Sequence, residues 1–488
     1  MSIPSPIGLP QELKLGEVDF SLPADARSYQ VNVQPSNQPS VTQTSISVIS
    51  AAAGPPTTTP QFSSQTLYFD LPAGSSPSTF IDNRFTTISF RANLSVTTAF
   101  VGAFAQTGYQ RSGGYSWIDR MYITAQNGNI VEDVTEYGLV NDLMVATQLN
   151  PATRDSLAVQ YGFLSDPAAT VSQGHQWTAI TQTAAATATE TYSYSMPLMS
   201  SLVGVTADRF FNIGRTNKLQ IAIQTCSELP ISITNAGAIT AGAFTVVLSD
   251  FAIQCQYVDI GPSALAMVDA TLPDRKAYIH GTTYKTSSIS MPATAGSQSL
   301  LAGIRGSSIK SLFARFQDMG AVSTTNSSNG KYDSKNPNLN SINFNVGGQR
   351  LPNNPVNPLL QPSRAFRALQ MASGAFNNSA FQSSMIPAQY CKLSAGGTAQ
   401  GATVGATQAY FWNLGSVNSA LCQFIYGEDL EVVARRGLMS GLNCNSAPVF
   451  VEFNAAVAPT NAQTLYVHAL SDVVYIHDVM TGDVQVRL

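Results

Sequence analysis

One strand–turn–helix unit occurs twice in this sequence, at a nearly constant offset. In the first half, Met121-Tyr122-Ile123-Thr124 leads to Asn127-Gly128, then Ile130 and a helical pattern. In the second, Ile342-Asn343-Phe344-Asn345-Val346 leads to Gly347-Gly348, then Leu351 and another helical pattern. Asn-Gly and Gly-Gly are both two-residue hairpin signals, because type I′ turns need positive φ at both central positions. The two turns lie 348 − 128 = 220 residues apart. A second echo agrees: Leu248-Ser249-Asp250 and Leu470-Ser471-Asp472 each accompany an apolar run, and 470 − 248 = 222. Two concordant offsets predict a tandem duplication of one domain of ~200 residues, an ordinary domain size.

The repeated unit is built from strands. Ile88 to Val96 alternates apolar and polar residues with period two, the mark of a strand with one buried and one wet face. Leu67, Phe69 and Leu71 do the same, as do Leu219, Ile221 and Ile223, and Phe251, Ile253, Cys255 and Tyr257. In the second half the pattern returns at Ile342, Phe344 and Val346, at Val449, Val451 and Phe453, and at Val484, Val486 and Leu488. Gly, Pro, Asn and Ser cluster between the runs, so the chain reads as antiparallel all-β. Eight strands of ~5–6 residues, with long loops and one helix, fill a unit of this size. An immunoglobulin sandwich needs only ~100 residues. The fold class expected is therefore two tandem eight-stranded jelly-roll β-sandwiches with a few short helices in loops.

Three helices are predicted. Asp133 to Leu149 opens on Asp133 and Glu136 in capping-box spacing, with Leu139, Leu143 and Ala146 on one face. A second spans Ser363 to Ser373, between Pro362 and Gly374, and a third Pro262 to Ala270. Before all of this, Val31 to Ser63 is rich in Pro, Gln, Ser and Thr and reads Gly54-Pro55-Pro56-Thr57-Thr58-Thr59-Pro60 near its end. Prolines at that density forbid helix and central strand. The organisation predicted is an extended N-terminal arm over 1–63, jelly roll 1 over 64–261, a linker with a short helix over 262–283 and jelly roll 2 over 284–488.

Composition narrows the partners. Charged residues make up 11% of the chain, far below the ~25% usual for soluble proteins, while 44% are apolar. A polar but neutral surface suits many permanent neighbours, since each unpaired charge buried in an interface is costly. With 25 basic against 29 acidic residues the net charge is −4. Phosphate neutralisation needs a basic patch, and the nearest approach is the pair Arg435-Arg436. Direct sequence-specific nucleic-acid binding is not expected. The five cysteines, Cys226, Cys255, Cys391, Cys422 and Cys444, form no C-x-x-C and are odd in number. Buried reduced thiols, folded in a reducing compartment, are the expectation. No basic, apolar leader opens the chain, and no apolar run reaches the ~18 residues that span a bilayer.

The histidines are His175, His280, His468 and His477, with no H-x-H of the kind a cupin metal site needs. His468 and His477 are nine apart and face opposite sides of a continuous strand unless a turn at Ser471-Asp472 brings them together. Glu428-Asp429-Leu430-Glu431 is the densest carboxylate cluster, and its ordinary reading is a solvated turn rather than a glycosidase pair. G-x-S-x-G, phosphate-loop and H-E-x-x-H patterns are missing, and Gly113-Gly114, Gly347-Gly348 and Gly396-Gly397 read as turns. Asn93-Leu94-Ser95, Asn326-Ser327-Ser328 and Asn377-Asn378-Ser379 match the glycosylation pattern by chance in an Asn- and Ser-rich chain. Trp117, Trp177 and Trp412 are scattered, so their spacing allows a sugar-stacking platform without indicating one. No catalytic, cofactor or metal site is predicted. Two other readings fit the same pattern: a carbohydrate-binding β-sandwich, lectin- or fibre-like, and a polysaccharide-active enzyme using Glu428 or Glu431.

In order, these elements resemble the double jelly-roll major capsid proteins of tailless double-stranded DNA viruses, of the virophage and polinton-like type. The resemblance rests on Trp117 to Leu149 with Thr135-Glu136-Tyr137-Gly138, and on the bridge Leu272-Pro273-Asp274-Arg275-Lys276-Ala277-Tyr278. It rests also on Ala434-Arg435-Arg436-Gly437-Leu438, Pro448 to Asn454 and the closing strand pair. It covers 64–488. It implies a homotrimer with pseudo-sixfold outline, tiling an icosahedral shell beside neighbouring capsomers. It also implies a virion location, an inward N-terminal segment that meets minor capsid or penton proteins or an internal membrane, and a surface loop from Gly320 to Pro337.

Overall fold

The computed structural model describes residues 26–37, 41–43, 64–96, 105–109, 112–126, 128–162, 188–227, 230–235, 244–318, 326–328, 332, 334, 336–374, 385, 390, 424–431, 440–459 and 462–487. His175, Trp177, Trp412, Cys391, Cys422, Arg435-Arg436, Gly396-Gly397 and Asn377-Asn378-Ser379 lie outside them, as does most of the predicted arm.

The first half contains β1 (Arg27–Val33), β2 (Val41–Gln43), β3 (Thr66–Leu71), β4 (Thr79–Val96), β5 (Ala105–Tyr109), β6 (Ile118–Ala125) and β7 (Ile130–Thr135). It continues with helices α1 (Tyr137–Gln148) and α2 (Pro151–Tyr161), then β8 (Ala188–Pro197), β9 (Leu219–Thr225), β10 (Ile231–Asn235) and β11 (Phe244–Asp259). One sheet runs β1-β11-β4-β8, with β2 also on β11, and its partner runs β3-β9-β6-β7. After helix α3 (Gly261–Thr271) come β12 (Lys276–Met291), β13 (Gly296–Ala302), β14 (Ile309–Asp318), β15 (Asn326–Ser328), β16 (Leu339–Val346) and β17 (Gln349–Val356). Helix α4 (Pro362–Ala372), β18 (Ile425–Asp429), β19 (Val449–Ala455), β20 (Gln463–Asp478) and β21 (Asp483–Arg487) complete the chain. The sheets here run β12-β20-β14-β18, with β21 on β20, and β13-β19-β16-β17.

Leaving out β2, β5, β10, β15 and β21, each half has eight strands with identical wiring. The first, eighth, third and sixth form one sheet, and the second, seventh, fourth and fifth form the other. That order, repeated twice, is a double jelly roll. Both sequence echoes fall at equivalent places. The hairpins β6–β7 and β16–β17 are the fourth and fifth strands of their rolls. Gly347 and Gly348 turn with φ of 59° and 91°, the mirror-image geometry that glycine adopts without a Cβ clash. Leu248 and Leu470 both lie on the eighth strand, where the pairing with the third strand is bulged.

Alternation works as expected. On β3 the pattern puts Leu67, Phe69 and Leu71 into the core, and on β19 Val449, Val451 and Phe453. Phe90 stacks on Phe251 at 4.8 Å and meets Tyr194 at 5.0 Å between the sheets of the first roll. Phe316 meets Phe453 edge-on at 5.7 Å in the second. Such rings bury large apolar area and fix the sheet spacing.

Some local expectations change. Strand β1 lies inside the stretch read as an arm, pairing Arg27–Val33 with Asp259–Ile253 as the first strand of roll 1. Its alternation, Tyr29, Val31 and Val33 inward, is short and flanked by prolines. The opening strand of roll 2 starts at Lys276, inside the predicted linker, because its polar residues hide the period. Asp133 does not cap α1: it sits on β7 and pairs with Arg120 at 2.7 Å, and Glu136 takes positive φ with no capping bond. A cross-strand guanidinium outcompetes the helix terminus for that carboxylate. The stretch 320–337 is not simply a surface loop, since Tyr332, Ser334 and Asn336 are buried. β15 pairs with β10 and β10 with β5, so segments of both rolls share a fifth, three-stranded sheet.

Candidate functional site at the seam between the rolls

The most developed polar chemistry among the described residues lies where the two rolls meet. Helix α1 is buried almost all round, including Asn141 and Asp142. An apolar helix carrying a buried acid needs a partner, and roll 2 supplies it. Arg315 on β14 bonds Asp142 at 2.7 Å, with both side chains inaccessible to solvent. Its second nitrogen donates to the Tyr332 carbonyl at 2.6 Å. The Tyr332 hydroxyl returns to the Ser116 carbonyl of roll 1 at 3.3 Å, and its ring packs with Leu139 and Tyr466. Gly138 is required here: a Cβ would stand 2.3 Å from the Tyr332 hydroxyl.

His468 lies next to this pair. Thr286 Oγ1 meets its Nδ1 at 2.9 Å, and Tyr466 lies parallel at 6.4 Å. Burial pushes its pKa down to about 3; the Arg315 charge adds to the effect and Asp142 opposes it.

A second group centres on Glu132 of β7. Its carboxylate accepts from Ser200 Oγ at 2.5 Å and from Ser201 N and Oγ at 2.7 Å each. Ser201 Oγ in turn accepts from the Tyr475 hydroxyl of β20 at 2.6 Å. Burial raises the Glu132 pKa, and the serine donors hold it back. A third group lies at the far end of β20. Thr216 donates to the Asn212 carbonyl at 2.6 Å, and its oxygen meets His477 Nε2 at 3.3 Å. Phe211 covers the imidazole at 5.2 Å, and burial lowers the His477 pKa to about 4. Asp208 exchanges bonds with the His280 backbone at 3.0 and 3.2 Å, and Asn217 Nδ2 donates to the Thr481 carbonyl at 2.6 Å. β12 approaches so closely that a Cβ on Gly281 would lie 2.6 Å from the Ser201 carbonyl.

The candidate site residues expected from sequence are spread over both rolls. β20 is one unbroken strand, so Ser471-Asp472 is no turn; His468 bonds Thr286 within roll 2, whereas His477 meets Thr216 of roll 1. Glu428 accepts from the Tyr426 hydroxyl at 2.9 Å, and burial raises its pKa. Glu431 and Asp472 hold Lys310 at 2.9 and 3.2 Å, and these bonds outweigh burial to keep the lysine pKa high. The carboxylate cluster thus ties β14, β18 and β20 together rather than lying in a solvated turn. Cys226, Cys255 and Cys444 are buried, and burial lifts the Cys255 thiol to about 12. Trp117 is buried, donating to the Tyr194 hydroxyl at 3.4 Å. Among the described residues, no group of three or more His, Cys, Asp or Glu side chains is placed to hold a metal ion. A cavity of about 30 Å³ beneath α3, lined by Phe80, Phe210, Val268 and His477, has room for a water or two.

Two sandwiches with jelly-roll wiring, locked by a dry ionic seam, define the class: the fold is that of the double jelly-roll major capsid proteins of viruses. The Sputnik virophage structure determined by cryo-EM contains a chain that superposes with a TM-score of 0.58 at 11% identity, covering 100% of this chain and 93% of that one. In the quasi-atomic model of the PBCV-1 virus capsid the score is 0.55 at 10% identity, over 97% of this chain and 100% of the other. PBCV-1 VP54, fitted into a reconstruction of the virophage Sputnik, gives 0.54 at 10% identity over the same shares. These neighbours are structural proteins of capsids and not enzymes. No family model matches the sequence, and no curated protein does. At such identities the likeness is one of fold.

Proposed function

We propose that this chain is a major capsid protein whose copies associate as homotrimeric, pseudo-hexameric capsomers and tile an icosahedral shell. The observation that carries the reading is the doubled wiring: one chain holds two equivalent rolls, so three copies present six similar lobes. Six lobes pack hexagonally, and many small lateral contacts add up by avidity to a stable shell. A chain with only 11% charged residues has few charges to desolvate when copies pack against one another. In this reading the role is geometric and uses no cofactor, and the protein acts in the virion.

The units we infer are an arm over 1–63 that also supplies the first strand, roll 1 to 261, a linker, and roll 2 to 488. The arm is the segment we assign to minor capsid or penton proteins, or to an internal membrane. Light scattering with negative-stain imaging of the purified chain tests the proposal. Hexagonal trimers or closed shells are expected. A monodisperse monomer across salt and pH, with a sugar ligand found by array screening, would instead favour the carbohydrate-binding alternative.

A further inference from the structure

The charged cluster that ties β14, β18 and β20 together places an amine within reach of a carboxyl. Lys310 stands on β14 between Ile309 and Ser311, which pair with Ser471 and Leu470 of β20, so it is the extra residue of a β-bulge. A bulge re-aims the side chain it carries. Here it directs the lysine between two carboxylates, with Nζ 2.9 Å from Glu431 Oε1 and 3.2 Å from Asp472 Oδ1. The Lys310, Glu431 and Asp472 side chains are only 14%, 15% and 11% accessible.

The surroundings hold these groups in place. Ser308 Oγ donates to Asp472 Oδ2 at 2.7 Å and accepts from the Gly441 N–H at 3.0 Å. Ser440 Oγ donates to Glu431 Oε1 at 3.1 Å. The Asp472 N–H bonds the Ser308 carbonyl at 3.0 Å, and the Leu430 N–H bonds the Lys310 carbonyl at 2.7 Å. Roll 1 offers a comparison within the same molecule. Its third and eighth strands carry Arg91 and Asp250, an exposed ion pair at 3.3 Å, and Asp250 ends the same Leu-Ser-Asp echo as Asp472. A guanidinium keeps its proton and cannot attack a carboxyl. Where roll 1 has an ordinary surface pair, roll 2 has a lysine, burial and a second carboxylate.

We propose that Lys310 and Asp472 condense spontaneously into an isopeptide bond between β14 and β20, with Glu431 as the proton carrier. Glu431 takes a proton from the Lys310 ammonium and passes it to Asp472 Oδ1, leaving a neutral amine beside a neutral carboxyl. The Nζ lone pair attacks Cγ, and the carbonyl electrons move onto Oδ2, where the Ser308 hydroxyl donates to the developing oxyanion. Glu431 then takes a proton from the nitrogen and delivers it to Oδ1. The Cγ–Oδ1 bond breaks, one water leaves, the carbonyl re-forms and Glu431 is again a carboxylate. The ammonium and carboxylate together become one amide and one water, with no change in total charge. The ammonium is the favoured form of Lys310, so the amine is a minor species. A bond that forms once in the life of a molecule needs no rapid turnover, and well-oriented groups react at effective concentrations of about 10⁵–10⁸ M. The bond is independent of the capsid reading.

Mass spectrometry of the full-length protein tests it. The folded chain should weigh one water less than its sequence requires, and proteolysis should release a branched peptide joining Lys310 to Asp472. Lys310→Arg keeps the charge and should give full mass with no branched peptide. Glu431→Gln should slow formation by ~10²–10⁴-fold, the usual contribution of a general acid–base, so the freshly folded variant keeps the water that the parent has lost. A folded parent that retains its full mass after prolonged incubation overturns the inference and leaves the cluster as an ion pair. A branched peptide joining Lys310 to Glu431 overturns the choice of acceptor, and a Glu431→Gln variant that links as fast as the parent overturns the role of Glu431. The parent's own mass decides the bond even where a variant fails to fold.

Discussion

At the residue scale, the Asp142–Arg315 pair decides how the rolls are locked. Bringing two charges out of water is costly, and their attraction repays it only with good geometry and further bonds, here to the Tyr332 carbonyl. Asp142→Ala should therefore cost ~3–5 kcal/mol, because it strands a buried guanidinium. The double variant Asp142→Leu with Arg315→Met should recover most of that, and urea titration of the three proteins checks it. His468 and His477 set a pH dependence. Their folded pKa values, about 3 and about 4, lie below the ~6.5 of an unfolded histidine. Between those limits the unfolded chain binds more protons, so this stability is full above pH ~6.5 and falls as pH drops toward 4. Glu132, Asp208, Glu428 and Asp429, with raised pKa values, act in the opposite direction. Melting temperature against pH should fall less steeply over that window in His468→Gln with His477→Gln than in the parent; equal slopes would refute the assignment.

At the element scale, the two helices that follow the fifth strands show how context overrides pattern. α4 keeps a one-sided apolar stripe, as its sequence predicts, and starts on Pro362. α1 has no wet face, since roll 2 covers what would be its outer side. Gly138 marks the point of closest approach, with the Tyr332 hydroxyl and the Tyr115 carbonyl both inside contact range of a Cβ. Gly138→Ala should cost ~1–3 kcal/mol by overpacking, although alanine is the better helix former. Thermal melting distinguishes this from the gain a free helix would show. Glu136, at φ 54°, is the hinge that turns the chain from β7 into α1, a geometry invisible to a capping-box pattern.

At the scale of the whole molecule, β20 is the long strand that belongs to both rolls. Leu465, Val467 and Ala469 fill the core of roll 2, whereas Tyr475 and His477 bond to Ser201 and Thr216 of roll 1. The C-terminal turn is held the same way: Asn217 N and Nδ2 donate to the Gly482 and Thr481 carbonyls. Arg315 and Tyr475 each bond across the seam, to Asp142 and Ser201, so separating the rolls breaks buried bonds of both. Calorimetry of the full chain should show one cooperative transition, and roll 2 expressed from residue 272 onward should melt lower or aggregate. Two well-separated transitions would contradict a locked seam.

Period-two alternation and the 220-residue echo (348 − 128) made the strands, the doubling and the resemblance to double jelly-roll capsid proteins legible from residues alone. Local chemistry suffices for these, because side-chain periodicity and glycine-dependent turns act within a few residues. Partnership was not legible. Asp142 and Arg315, 173 positions apart, carry no local sign that each will be the other's counterion. The residues flanking Asp142, Asn141 and Leu143, hint only that a polar group sits in an apolar helix. The first strands escaped for a related reason: β1 is short and β12 polar, so each is defined by the strand it pairs with, β11 and β20, rather than by its own pattern. What the chain fixes locally is which surfaces each roll will have. Which of those surfaces meet is decided only in the tertiary structure, where desolvation makes an unpaired charge or hydroxyl costly and leaves few arrangements that satisfy them all.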